Sequence, residues 1–230
     1  MRGLFVTATG TGVGKTVLSA ALLAAMIDAG EAAVPYKPVI TGLLDEREIA
    51  ARGPWPADDE LLGALAGLAP VQVAPERFGA AASPHLAAGL EHRRIDPEQI
   101  VERARRLAAA DGAPLIVEGV GGLLVPIDDR FTVLDLARAL ALPTLIAARP
   151  GLGTINHTLL TLQVARAGGL DVRAAVLTPW PEAPSALELS NRDTIARLGE
   201  VDVHTLATVP GPDVAALAAA GATLPWRSWL

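Results

Sequence analysis

The sequence has no cysteine, which excludes disulfide cross-links, thiolate metal sites and a cysteine nucleophile and fits a reducing compartment. It has no basic excess either. The net charge is -6 and the arginines are scattered, so no face is suited to a nucleic-acid backbone and no nucleic-acid partner is expected. No uninterrupted apolar run reaches membrane-spanning length. A phosphate-type motif beginning at Thr7 leaves no room for a cleavable signal ahead of it. A cytoplasmic protein without a membrane partner is expected.

Lysine is the most informative shortage. Seventeen of the nineteen basic residues are arginine, and only Lys15 and Lys37 remain. An ammonium is a compact point charge on a flexible stem, whereas a guanidinium is a planar fork. The two places that keep lysine are therefore the first candidates for chemistry.

With 230 residues and 51% hydrophobic content, the chain can bury one sizeable core, and residues 1–230 read as a single domain. Apolar runs predict strands at Leu4 to Ala8, Ala32 to Tyr36, Pro114 to Val117 (ending at Glu118), Thr144 to Ala148, Val172 to Leu177 and Val203 to Leu206. Helices are predicted for Thr16 to Ala29 (closed by Gly30), Asp58 to Leu68, Thr132 to Leu140, Asn156 to Ala167, Ser185 to Leu198 and Asp213 to Ala220. Another runs from a cap at Asp96 to about Ala110. Thr41 to Pro56 reads as a surface loop and Pro70 to Pro84 as irregular. Strands alternating with helices imply an α/β fold, a mostly parallel sheet with helices on both faces.

Between the first strand and first helix lies TATGTGVGKT, Thr7 to Thr16. Phosphate needs several backbone N–H groups converging at a helix N-terminus, and glycine lets the chain turn tightly around the anion. Gly10, Gly12 and Gly14 supply that freedom, although Thr9 stands where the common phosphate-loop pattern begins with glycine. In this context Lys15 would reach the terminal phosphates and the Thr16 hydroxyl would be a magnesium ligand. From the residues alone the reading reaches nucleotide-dependent phosphoryl transfer on a single-domain P-loop NTPase fold.

Further segments carry a more specific resemblance. The loop, with Thr9, Thr11, Val13, Gly14, Lys15 and Thr16 in place and Ala8 standing for a glycine, resembles the variant phosphate loop of the dethiobiotin synthetases. YKPVITG (Tyr36 to Gly42), SPH (Ser83 to His85), VEGVGGLLVP (Val117 to Pro126) and LGTINHTLLT (Leu152 to Thr161) follow in the family's order. The resemblance implies a ligase that forms carbon–nitrogen bonds. It would convert 7,8-diaminopelargonic acid, CO2 (or bicarbonate) and ATP into dethiobiotin, ADP and phosphate, with Mg2+ as cofactor.

It also implies roles. Lys15 and Lys37 are catalytic cations facing the γ-phosphate, since phosphoryl transfer is mostly positioning and charge neutralisation. Thr11, Gly12, Val13, Gly14, Lys15 and Thr16 hold the nucleotide. Glu118, at a strand end where α/β sheets place their ligand crevice, is a magnesium ligand with Thr16. An aspartate after the second strand joins them, and both Asp58 and Asp59 are candidates, with Asp59 placed slightly ahead. Thr41, Gly151, Leu152 and Asn156 contact substrate, the last three across a two-fold interface, so a homodimer is expected. Many family members carry Asn near the end of the strand after that segment, where this chain has Thr178 and Pro179, which the resemblance places among the nucleotide-binding residues. One hydroxyl cannot reproduce the paired amide contacts to adenine, so ATP is the expected donor with other nucleoside triphosphates open. His85 and His157 lack the clustered partners of a metal site. A cobyrinate-amidase-like ligase and a dimerising ATPase switch are the alternatives; the former lacks room for a glutaminase domain here, and the latter lacks its early loop lysine. PWRSWL at the C-terminus, with Trp226 and Trp229, either caps the core or contributes to the dimer.

Overall fold

The computed structural model describes residues 1–110 and 112–230. The chain opens with β1 (Gly3–Ala8), α1 (Lys15–Asp28), β2 (Val34–Tyr36) and β3 (Val39–Ile40), followed by α2 (Glu46–Ala51), α3 (Asp58–Ala66), α4 (Pro70–Val73) and β4 (Glu76–Arg77). Next come α5 (Pro84–Leu90), α6 (Pro97–Ala110), β5 (Leu115–Glu118), α7 (Val133–Leu140), β6 (Thr144–Ala148) and α8 (Thr154–Ala167). β7 (Val172–Trp180), α9 (Ala186–Gly199), β8 (Asp202–Ala207), α10 (Val214–Ala222) and α11 (Trp226–Trp229) complete it.

Six strands form one parallel sheet in the order β2-β5-β1-β6-β7-β8. Every residue of β1, β5 and β6 is buried, as expected for parallel strands covered on both faces. On one face α1, α3 and α10 pack with Leu4, Val6 and Val176, and Trp226 and Trp229 are buried in the same cluster. The C-terminal tryptophans therefore cap the core. Gly221 of α10 lies so near Ala21 O that any Cβ would overlap it; glycine permits this close helix approach. On the other face Phe5, Val117 and Ile146 pack with residues of α6, α7 and α8.

Two segments differ from their expectation. Thr41 to Pro56 contains α2, whose residues are all unburied, so no apolar stripe announces it. Its signal is Asp45, whose carboxylate caps the N–H groups of Arg47 and Glu48 at 3.0 Å. Pro70 to Pro84 contains α4 and β4, with β4 pairing in parallel with β3. These elements span only a few residues, too short for periodicity to register. Among the described residues no helix is long and apolar enough to cross a membrane.

The sheet also sets the geometry of its C-terminal edge. Tyr36 pairs with Val117 and Val6 with Glu118, so Lys37 emerges beside Glu118 and both lie next to the loop leaving β1. The chain winds from β1 toward β2 with α1 on one face, and from β6 toward β7 with α8 on the other. The crevice between β1 and β6 is thus a topological switch point, where such sheets bind ligands.

Candidate active site

The loop from Thr9 to Gly14 carries the chain from β1 into α1. Thr9 donates its N–H to Ala147 O at 3.0 Å, extending the sheet by one residue, so glycine is unnecessary there. Gly12 and Gly14 have φ of 69° and 103°, the left-handed region glycine enters without penalty. Gly14 sits at the start of α1, and a Cβ on it would come 2.9 Å from Thr178 Cγ2. Val13 is buried and anchors the loop to the core, while Thr11 and Gly12 are exposed. Lys15 is buried, and its Nζ donates to Gly10 O at 2.9 Å.

Charges converge beneath this loop. Lys37 Nζ lies 2.6 Å from Glu118 Oε1 and 3.0 Å from Asp58 Oδ2. Thr16 donates its hydroxyl to the same Glu118 oxygen at 2.8 Å. Burial lowers the Lys15 pKa, and repulsion from Lys37 lowers it further; Glu118 and Asp58 oppose both, and the group settles at about 8. Burial works against the charged form of Lys37 too, but there the attraction and hydrogen bonds of Asp58 and Glu118 prevail and hold the ammonium above its ordinary range. Burial pushes Asp58 upward, and Lys37, Thr16 and Lys15 outweigh it to hold the carboxyl below the ordinary range.

A divalent cation fits this group of donors. Glu118 Oε2 is buried without a hydrogen-bond partner, beside the oxygens of Thr16 and Asp58. These are hard oxygen ligands of the kind magnesium takes with nucleotide phosphates. Among the described residues no cluster of three or more His, Asp or Glu side chains offers a protein-only metal site.

Around the cluster opens a cavity of about 740 Å³, sufficient for a small-molecule ligand. Lys15, Thr16, Lys37, Thr41 and Asp58 line it, together with Glu48, Arg52, Trp55, Ser83 and Arg149.

The structure brings Lys15, Thr16, Lys37, Thr41, Asp58 and Glu118 together and leaves other candidates apart. Asp59, the acid expected from the sequence to be the metal ligand by a small margin, is instead fully buried away from the cavity and ion-paired with Arg77. Its neighbour Asp58 is the one turned toward Lys37, because adjacent helix positions face about 100° apart. Thr178 is buried against Gly14, and Pro179 is exposed; neither lines the cavity. Gly151, Leu152 and Asn156 also lie outside it, at the start of α8, with Leu152 91% exposed. α8 begins two residues before Asn156, so Asn156 lies in the first turn and Gly153 at the cap. Arg149, Arg52, Glu48 and Trp55 are among the lining residues that sequence reasoning missed. Arg149 alone carried a readable signal, its place directly after an apolar strand.

Residues 2–215 match the AAA domain family. The ATP-dependent dethiobiotin synthetase BioD of Anaeromyxobacter sp. (strain Fw109-5) is 44% identical over 87% of this chain and 91% of its own length. That of Anaeromyxobacter dehalogenans (strain 2CP-C) is 44% identical over 94% and 93%. Among solved structures, the cell division ATPase MinD of Pyrococcus furiosus aligns with a TM-score of 0.55 at 17% identity, covering 97% of this chain and 99% of its own. The MinC:MinD complex of Aquifex aeolicus gives 0.56 at 15% identity, covering 96% and 86%. At these identities the structural likeness concerns the fold.

Proposed function

This chain belongs to the ATP-dependent dethiobiotin synthetase family, and on that premise we propose that it closes the cyclic urea of dethiobiotin from 7,8-diaminopelargonic acid, CO2 and ATP. Family membership makes it an ATP-using ligase of biotin synthesis that forms carbon–nitrogen bonds. The observation that carries the reading to its residues is the convergence of Lys37, Glu118, Asp58 and Thr16 within 2.6 to 3.0 Å beneath the phosphate loop.

In the proposed sequence one amine of the substrate attacks CO2, forming a C–N bond and losing a proton to give a carbamate. A carbamate oxygen then attacks the γ-phosphorus; the bond to the bridging oxygen breaks and ADP leaves. The second amine attacks the carbonyl carbon of this mixed anhydride, the C–O bond to phosphorus breaks, and phosphate and a proton depart. Each step builds or moves negative charge, so fixed cations in a confined site lower the barrier.

The residues take matching parts. The peptide N–H groups of the Thr11 to Thr16 loop cradle the phosphates at the N-terminus of α1. Lys15 and Lys37 neutralise the γ-phosphate and the carbamate oxygen that approaches it. Thr16, Asp58 and Glu118 would hold Mg2+, which when bound supplies charge neutralisation and orientation of the terminal phosphates. The Thr41 hydroxyl, beside the Lys37 strand end, hydrogen-bonds the substrate. Thr178 offers no paired amide to an adenine edge, so ATP serves with relaxed discrimination against other nucleoside triphosphates.

Gly151, Leu152 and Asn156 act across a two-fold axis: the exposed start of α8 completes the site of a second copy, where its free N–H groups receive the substrate carboxylate. Mass spectrometry of purified protein with diaminopelargonate, bicarbonate, Mg2+ and ATP tests the reading. Dethiobiotin should form only in the complete mixture, and its absence there would refute the assignment.

A further inference from the structure

One wall of the crevice comes from β6. Thr7 pairs with Ile146 and Ala8 with Ala147, so β1 and β6 run side by side into the phosphate loop and Arg149 emerges beside its first turn. The backbone behind Arg149 is anchored. Pro150 is buried, and Asn191 of α9, itself buried, donates its amide to Pro150 O at 2.8 Å and to Gly151 O at 3.1 Å. From this base the side chain crosses to the loop, where Nε and Nη2 both donate to Gly12 O, at 3.1 and 2.5 Å.

An anion cradle requires N–H groups turned toward the ligand and their carbonyls turned away. The Gly12 carbonyl belongs to the same trans peptide as the Val13 N–H, and in a trans peptide the two point in opposite directions. Val13 N–H donates to no other group among the described residues. With glycine at positions 10, 12 and 14, this stretch has unusual freedom to rotate its peptides. Rotation of the 12–13 unit would aim a carbonyl dipole at a phosphate. A double hydrogen bond from a permanently charged guanidinium suppresses it.

We propose that Arg149 is a positioning residue for the nucleotide: by holding Gly12 O it keeps the Val13 N–H turned to the phosphates, and so sets nucleotide affinity rather than the chemical step. The inference rests on the reading of the loop as a nucleoside triphosphate site.

The test compares the wild-type full chain with Arg149→Gln and Arg149→Lys. It measures binding of a non-hydrolysable ATP analogue with Mg2+ by calorimetry, and KM for ATP and kcat in the synthetase assay. Loss of a charge-assisted hydrogen bond predicts about tenfold weaker binding and higher KM in Arg149→Gln, with kcat and melting temperature near wild type. Arg149→Lys, which keeps one charged donor, should recover part of the affinity. Equal affinities in wild type and Arg149→Gln, or a defect confined to kcat, would overturn the proposal. Failure of the wild type itself to bind the analogue would remove the nucleotide reading instead, so the two failures are distinct.

Discussion

Asp58 and Asp59 are adjacent acids at the start of α3 with different surroundings. Asp58 faces Lys37 at 3.0 Å, whereas Asp59 is fully buried against Arg77. Their asparagine variants should separate accordingly. Asp58→Asn should lower kcat on the order of 100-fold, the scale for losing one charge-positioning group in an active site, while its melting temperature stays near wild type. Asp59→Asn should keep most activity and lose about 3 kcal/mol of stability, the low end for breaking a buried ion pair, since Arg77 is partly exposed. Urea unfolding and steady-state rates measured on both variants check this; the reverse pattern would contradict the geometry. The sequence could not separate the two acids, since spacing says nothing about which way each points until the helix phase is set. Lys15 and Lys37 were legible because a chain so rich in arginine retained lysine there. Arg149 was harder to pick out, being one of many arginines, and only its place directly after an apolar strand marked it.

At the scale of elements, legibility followed burial. β6 is a short run between Pro143 and Arg149, apolar after Thr144, and its predicted span, Thr144 to Ala148, matches the structure. α2 has no buried residue and went unseen; α5 opens on Ser83–Pro84, a helix start marked only by proline at its first position. α7 was legible from its cap. Thr132 accepts from Asp135 N at 3.3 Å, and Asp135 Oδ2 accepts from Thr132 N at 2.9 Å and from the Thr132 hydroxyl at 2.7 Å. Removing the hydroxyl half of that reciprocal cap with Thr132→Ala should cost about 1 kcal/mol at neutral pH. The hydroxyl and then the backbone N–H of Thr132 hold the Asp135 carboxyl below its ordinary pKa. Its contribution is therefore complete at neutral pH and fades as the pH falls through the carboxylate range. The gap between wild-type and variant melting temperatures should narrow as the pH falls through that range, and a gap that widens in acid would contradict this account.

For the whole molecule, the cavity and the exposed segment at the start of α8 lie apart, and the proposed dimer joins them. Lys37→Ala should disable a site through the crevice, and Asn156→Ala should disable it from the partner subunit. Dimers reassembled from a mixture of the two inactive variants would contain one site free of both lesions. Mixing should thus restore synthesis that neither parent supports, measured as product after denaturation and refolding together. Persistent inactivity of the mixture, with each variant folded and dimeric, would place Asn156 in the same subunit's site. The parallel sheet itself was legible from the alternation of strands and helices, but which copy supplies which wall is a property of surfaces that strand and helix patterns do not encode.

The central claim is that ATP cleavage is tied to ring closure, and one measurement addresses it directly. Purified protein is given diaminopelargonate, isotopically heavy bicarbonate, Mg2+ and ATP, and ADP and labelled dethiobiotin are quantified together. The account expects one ADP for each dethiobiotin, every product molecule carrying one heavy carbon, and little ADP when the diamine is withheld. ADP released at the same rate without the diamine, and no labelled product, would contradict it and mark the protein as an ATPase.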